Sequence, residues 1–218
     1  MDYTGYMRFL FNKYGTDKSN KHWYDLIYEP CLEKKKNDPI NILEVGIHRG
    51  ASTGAFYEYF PKGQIYAIDL FKRVEQSSIK VLQTERAHSI KTDSTLESTA
   101  DLIKKEWGED IKFDFIIDDG AHYPKANRLT FESLFPFLKE DGSYFIEDLW
   151  PLHLMTAEEL KHGWICGKAE EVYGQHYNYS MDEHNKLLDV INQFKVTHYD
   201  NRKRSRNPDS YIIKIENK

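Results

Sequence analysis

The sequence predicts an α/β fold, doubly wound, with a mostly parallel sheet closed by an antiparallel hairpin. Three observations carry this. Short, β-rich apolar runs alternate with longer stretches of helical period between Asn41 and Ile146, the pattern of parallel strands covered by crossover helices. Near the C-terminus two β-type runs flank a turn-rich basic segment, which reads as a hairpin. A length of 218 residues suits one domain with a sizeable core, so 1–218 is expected to form a single domain.

Taken in order, residues 1–38 are an N-terminal arm that ends in the charged connector Glu33 to Asp38. The first strand runs from Asn41 to Ile47, the second from Gln64 to Leu70 and a weaker third from Ala87 to Lys91. The fourth covers Phe113 to Ile117 and the fifth Ser143 to Ile146. Helical periodicity occupies Ser52 to Phe60, part of Val74 to Thr84, Leu96 to Trp107 and Lys125 to Leu138. After Trp150 the alternation stops, and the polar, aromatic stretch 151–181 is expected to cover an active site. A helix at Asp182 to Phe194 then leads to two strands, Lys195 to Tyr199 and Ser210 to Glu216, making seven in all.

Composition narrows the function. A net charge of -5, from 30 basic and 35 acidic residues, offers no broad basic surface for a phosphate backbone, so nucleic acid is not expected as a partner. Cys31 and Cys166 lie far apart and outside any C-x-x-C spacing, so neither a disulfide framework nor a zinc site is signalled. No apolar run approaches the roughly 20 residues needed to span a bilayer, and a soluble, cytoplasmic protein is expected. The oligomeric state stays open, a homo-oligomer included.

The strongest local motif is Ile42-Leu43-Glu44-Val45-Gly46-Ile47-His48-Arg49-Gly50, an apolar strand that meets an acid and then glycines before a helix. Ligands in open parallel sheets sit outside the carboxyl ends of the strands, and glycines at Gly46 and Gly50 permit a tight turn and close approach. The spacing departs from the Gly-x-Gly-x-x-Gly of dinucleotide binders, and a carboxylate at Glu44 suits an ammonium group better than a phosphate. Roughly 20 residues on, the second strand ends at Asp69, the position from which such folds accept hydrogen bonds from ribose hydroxyls. Asp93 and Ser94, after the third strand, are candidates for an adenine amine. Each acid taken singly also reads as a solvated strand end or a helix cap. His48 and Arg49 are candidates for a cofactor carboxylate, or simply a solvent-facing turn.

The fourth strand leads into Asp118-Asp119-Gly120-Ala121-His122 and the fifth into Glu147-Asp148. Four carboxylates and an imidazole thus gather at neighbouring strand ends, where like charges repel unless a cation neutralises them. A hard divalent ion such as Mg2+, with Mn2+ also acceptable, is the economical explanation. Three carboxylates with water and two substrate oxygens complete an octahedron. The plainer alternative is that the acids cap turns and His122 is a surface histidine.

On these residues a resemblance rests. Glu44, Gly46, Gly50 and Asp69 resemble the class I S-adenosylmethionine (SAM)-dependent methyltransferase pattern, a Rossmann-like fold that also ends in a strand hairpin. Tyr14-Gly15-Thr16-Asp17-Lys18, the Asp-Asp-Gly-Ala-His run and Glu147-Asp148 are similar to the metal-dependent sugar O-methyltransferases of macrolide biosynthesis and to the cephalosporin hydroxylase-like family. The resemblance, from about Tyr14 to Trp150, implies a metal held by Asp119, Glu147 and Asp148, with His122 as general base. Ala121 replaces the family's usual serine. It further implies SAM on the first strands and methyl transfer to a hydroxyl of a sugar or glycosylated small molecule.

Metal coordination lowers a hydroxyl's pKa and chelation of two hydroxyls fixes the angle of attack on the methyl group. His122, with an unperturbed pKa near 6.5, suits the role of base. Thr16, Asp17 and Lys18 are expected to fold over cofactor or acceptor, with helix capping as the alternative for Thr16 and Asp17. Trp150, His153, Trp164, Tyr173, His176, Tyr177 and Tyr179 are candidates for stacking on sugar faces, or for core packing. Arg202 to Arg206 reads as a contact for an anionic acceptor or as a solvated hairpin tip. Competing readings are a catechol-type O-methyltransferase and a noncatalytic SAM-binding protein. An oxidative hydroxylase lacks a 2-His-1-carboxylate set.

Overall fold

Alternation of faces along each strand organises the molecule. The computed structural model describes residues 5–156, Glu158 and 181–218. The strands are β1 (Asn41–Val45), β2 (Gln64–Asp69), β3 (Ala87–Lys91), β4 (Phe113–Asp118), β5 (Leu138–Ile146), β6 (Lys195–Asp200) and β7 (Tyr211–Glu216). They form a seven-stranded sheet of order β3-β2-β1-β4-β5-β7-β6. The β1, β2, β3, β4 and β5 pairings are parallel, and β7 runs antiparallel to both β5 and β6. The expected hairpin is therefore present, with β7 inserted between β5 and β6.

Helices cover both faces. In chain order they are α1 (Tyr6–Tyr14), α2 (Asp17–Asn20), α3 (Asp25–Leu32), α4 (Ala51–Tyr59), α5 (Ser98–Trp107), α6 (Pro124–Leu134), α7 (Met181–Ile191) and α8 (Arg202–Ser205). On one face Leu43, Ile116, Tyr144 and Ile213 pack with Ile103, Phe131, Leu187 and Ile191 from α5, α6 and α7. On the other, Ile42, Ile117, Phe145 and Ile212 pack with Phe11, Tyr28 and Phe56 from α1, α3 and α4. Phe113 and Phe115 fall on opposite faces despite being two apart, because the β4–β5 register shifts between them. Each buried aromatic contributes about 1.5–3 kcal/mol by leaving water.

The N-terminal arm is a helical layer of this second face. Met7, Leu10 and Phe11 recur at helical spacing and are buried. Gly15, with φ of 74°, ends α1 in the left-handed conformation and donates its N–H to the Asn12 carbonyl. At Gly54 an added Cβ would lie 2.7 Å from the Tyr14 ring, so the missing side chain lets α1 close onto α4.

Two expected elements differ. Val74 to Thr84 contains no α-helix but two short 3₁₀ turns, Gln76–Ser78 and Lys80–Gln83. The Ser78 hydroxyl donates to the Glu75 carbonyl, the local bonding by which serine competes with helix, and Ile79 between the turns is extended and buried. The helix expected to reach Leu138 stops at Leu134, ahead of Pro136, which cannot continue it. β5 then starts at Leu138, earlier than expected. Among the described residues no helix is long and apolar enough to cross a membrane. Most of 151–181 lies outside the described residues.

Candidate active site

Strand order reverses between β1 and β4, and in such sheets the crevice beyond the strands' carboxyl ends at that point is where ligands bind. The ladder continues past the strands into their turns. Gly46 N donates to the Ile68 carbonyl (2.8 Å), Asp119 N to the Val45 carbonyl (3.0 Å) and Glu147 N to the Asp118 carbonyl (2.9 Å). These bonds set the turns after β1, β4 and β5 side by side. His48, Phe71, His122 and Asp148, each just beyond a strand, have φ of 50°, 48°, 57° and 50°. Non-glycine residues pay roughly 1–3 kcal/mol for such conformations, which concentrate at functional sites.

Asp119, His122 and Asp148 each offer a ligand atom, all within 4.8 Å of one another. His122 Nε2 stands 3.6 Å from Asp119 Oδ1. Burial alone lowers the His122 pKa, but Asp148, Asp119 and Asp118 outweigh it and raise the value above the ordinary one. Glu147, adjacent in sequence, is buried, and both its oxygens are engaged, one by the Tyr28 hydroxyl and the other by Lys18 Nζ at 2.5 Å. Lys18 Nζ also donates to Asp119 Oδ2 at 2.6 Å. The Tyr24 hydroxyl donates to Asp148 Oδ1 at 2.7 Å, and His22 Nδ1 lies 3.2 Å from the same oxygen. Burial raises the Asp148 pKa, opposed by His122 and His22.

Asp118, the fourth acid, turns away from this cluster. It accepts from Asn127 Nδ2 on α6 (3.3 Å) and from Gly120 N (3.2 Å), and burial pushes its pKa up to about 6. Ala121 is exposed on the turn.

The residues expected to hold a cofactor have defined partners. Glu44 is fully buried and accepts from Ser52 Oγ (2.5 Å) and Thr53 Oγ1 (2.6 Å) at the start of α4. Burial raises its pKa, with Lys18 and the two hydroxyls opposing. Asp69 accepts from His48 N (3.0 Å) and Phe71 N (2.6 Å), which hold its carboxylate at the β2 end. Asp93 accepts from Thr95 N (3.0 Å) and Oγ1 (2.7 Å), and the Ser94 hydroxyl pairs with Thr130 (2.9 Å). A Cβ on Gly46 would overlap the Asp119 backbone carbonyl, and one on Gly50 would come within 2.6 Å of Ile79 Cγ2. Close approach is therefore required here by neighbouring protein. His48 and Arg49 are exposed.

Thr16 is buried and caps α2, its Oγ1 accepting from Lys18 N at 3.4 Å. Trp150 packs in a small cluster with Leu152 and Met155, and His153 Nδ1 pairs with His184 Nε2 at 2.8 Å. Trp164, Tyr173, His176, Tyr177 and Tyr179 lie outside the described residues. Of the basic segment, Arg202 pairs with Asp200 at 2.8 Å and Arg204 lies over the Trp23 ring. Sequence reasoning missed His22, Tyr24 and Tyr28. Tyrosines four apart, Tyr24 as the N-cap of α3 and Tyr28 within it, were the available signal, because that spacing presents both to the same side.

Residues 43–149 match the methyltransferase domain family. The chain is 30% identical over 136 residues to 8-demethyl-8-(2-methoxy-alpha-L-rhamnosyl)-tetracenomycin-C 3'-O-methyltransferase of Streptomyces olivaceus, covering 59% of this chain and 33% of that protein. It is 29% identical over 149 residues to mycinamicin VI 2''-O-methyltransferase of Micromonospora griseorubida, covering 65% and 35%. It thus spans about a third of the length of these relatives. MycE methyltransferase from the mycinamycin biosynthetic pathway, solved in complex with Mg and SAH, has the same fold, with a TM-score of 0.67 at 23% identity over 97% of this chain and 54% of that one. Residues 43–149 thus match a methyltransferase domain, the chain is similar in sequence to these two O-methyltransferases, and it shares the fold of MycE.

Proposed function

We propose that this protein transfers the methyl group of SAM to a hydroxyl of a sugar or glycosylated small molecule, with a divalent ion at Asp119 and Asp148. The observation that carries the reading is the convergence of Asp119, His122 and Asp148 within 4.8 Å at neighbouring strand ends. The donor set fits a hard ion. Carboxylate oxygens suit Mg2+ or Mn2+, and Glu147, whose oxygens are held by Tyr28 and Lys18 outside that cluster, is the third carboxylate we assign to the ion. The relatives named as O-methyltransferases of a rhamnosyl-tetracenomycin and of mycinamicin VI support the acceptor class.

A divalent ion held by Asp119 and Asp148 would supply Lewis acidity that makes an acceptor hydroxyl more acidic. His122 takes the hydroxyl proton. Asp119, 3.6 Å away, and Asp148 stabilise the imidazolium that results. The turn at 46–50 and the Asp69 carboxylate would hold SAM, and the left-handed His122 turn fixes the base relative to Asp119 and Asp148.

The test is methyl transfer from SAM to a panel of deoxysugar glycosides, nucleotide sugars and catechols. Transfer to a glycoside hydroxyl is expected, and His122→Ala should lower turnover by at least about a hundredfold with little change in SAH binding. Transfer to catechols alone would overturn the acceptor class, and near-normal turnover of His122→Ala would remove its role as base.

A further inference from the structure

Lys18 is 2% exposed, and lysine is almost never so buried unless paired. Its ammonium reaches two of the three carboxylates assigned to the ion, Asp119 Oδ2 at 2.6 Å and Glu147 Oε2 at 2.5 Å. The backbone is fixed on both sides of this side chain. Lys18 N donates to Thr16 Oγ1 at 3.4 Å, and the Lys18 carbonyl accepts from Tyr24 N at 2.7 Å. The ammonium is thus delivered to the strand ends by a braced turn of the arm.

We propose that Lys18 is a positioning residue that serves as the resident counter-cation of the ion site, sharing Asp119 and Glu147 with the divalent ion and setting its affinity. This rests on the divalent-ion reading above. One ammonium and one divalent ion together balance the three carboxylates of Asp119, Glu147 and Asp148. Without Lys18 the loaded site retains an uncompensated negative charge in a largely buried place, which is costly. Lys18 also orients its partners. By taking Asp119 Oδ2 it leaves Oδ1 toward His122, while the Tyr28 hydroxyl takes the other oxygen of Glu147. The same positive charge repels an incoming dication, so the lysine exchanges some ion affinity for a cluster that is stable before loading.

The experiment measures Mn2+ binding by electron paramagnetic resonance, and thermal midpoints with and without Mn2+, for the full chain and for Lys18→Met and Lys18→Arg. Lys18→Met should bind Mn2+ about tenfold more tightly than wild type, because a unit positive charge next to the dication is gone. Its ion-free midpoint should fall, and Mn2+ should raise that midpoint by more than it does in wild type. Lys18→Arg, which keeps the charge, should stay within about threefold of wild type. Equal or weaker Mn2+ binding by Lys18→Met would overturn the assignment. So would its failure to fold even in millimolar Mn2+, or equal tightening in Lys18→Arg. If wild type itself binds no Mn2+, the divalent-ion reading falls. Wild-type binding without a gain in Lys18→Met removes only the role of Lys18.

Discussion

Gly46 joins the two halves of the site at a single backbone position. Its φ of 79° is left-handed, and a Cβ there would run into the Asp119 backbone carbonyl. Gly46→Ala should therefore cost more than about 1 kcal/mol of stability for the left-handed conformation alone, measured by urea unfolding. It should also weaken Mn2+ binding by displacing Asp119. Wild-type values for both would contradict the contact. Glycines and acids at strand ends were legible in the sequence as residue types, and the structure places Asp119, His122 and Asp148 together. The reason for Gly46 was not legible, since it lies in a carbonyl from a strand far along the chain. Nor were the left-handed His48, Phe71, His122 and Asp148, because the sequence offers no glycine to mark them.

At the scale of elements, strands were read well because period-2 apolar runs between turn residues persist whatever packs on them. The 3₁₀ turns between Val74 and Thr84 were not, because their conformation is decided by Ile79 packing beside Gly50. The arm was expected over cofactor or acceptor. In the structure α2 carries Lys18, and the start of α3 carries Tyr24 and Tyr28, to the carboxylates that follow β4 and β5. A comparable long-range contact docks α7, whose buried His184 meets His153. Burial and then His153 push the His184 pKa down to about 4, against about 6.5 when unfolded. Between those values the unfolded chain binds the extra proton, so stability falls as pH drops through the window and is level above it. A loss on the order of 2 kcal/mol between pH 7 and pH 4 is expected from this group. It is checked by urea unfolding of wild type and His184→Gln at both pH values, and an identical pH dependence in the two would contradict it.

For the whole molecule, the parallel core and terminal hairpin bring four strand ends and an N-terminal arm to one crevice. The sequence order of these parts hides their proximity, since Lys18 and Asp119 are 101 positions apart. The fold was legible because its signals are local: a strand, an acid, a glycine turn. The second wall of the ion site was not, because nothing local to Lys18 or Tyr28 signals a carboxylate from β5. Acceptor choice belongs to no local motif either, and the aromatic stretch expected to supply it lies mostly outside the described residues. The central claim is that Asp119 and Asp148 hold an ion needed for methyl transfer. It is tested most directly by following labelled methyl transfer from SAM to an accepted glycoside, before and after exhaustive chelation and after adding Mg2+ back. Activity should vanish on chelation and return with Mg2+, whereas transfer that survives complete metal removal would contradict it.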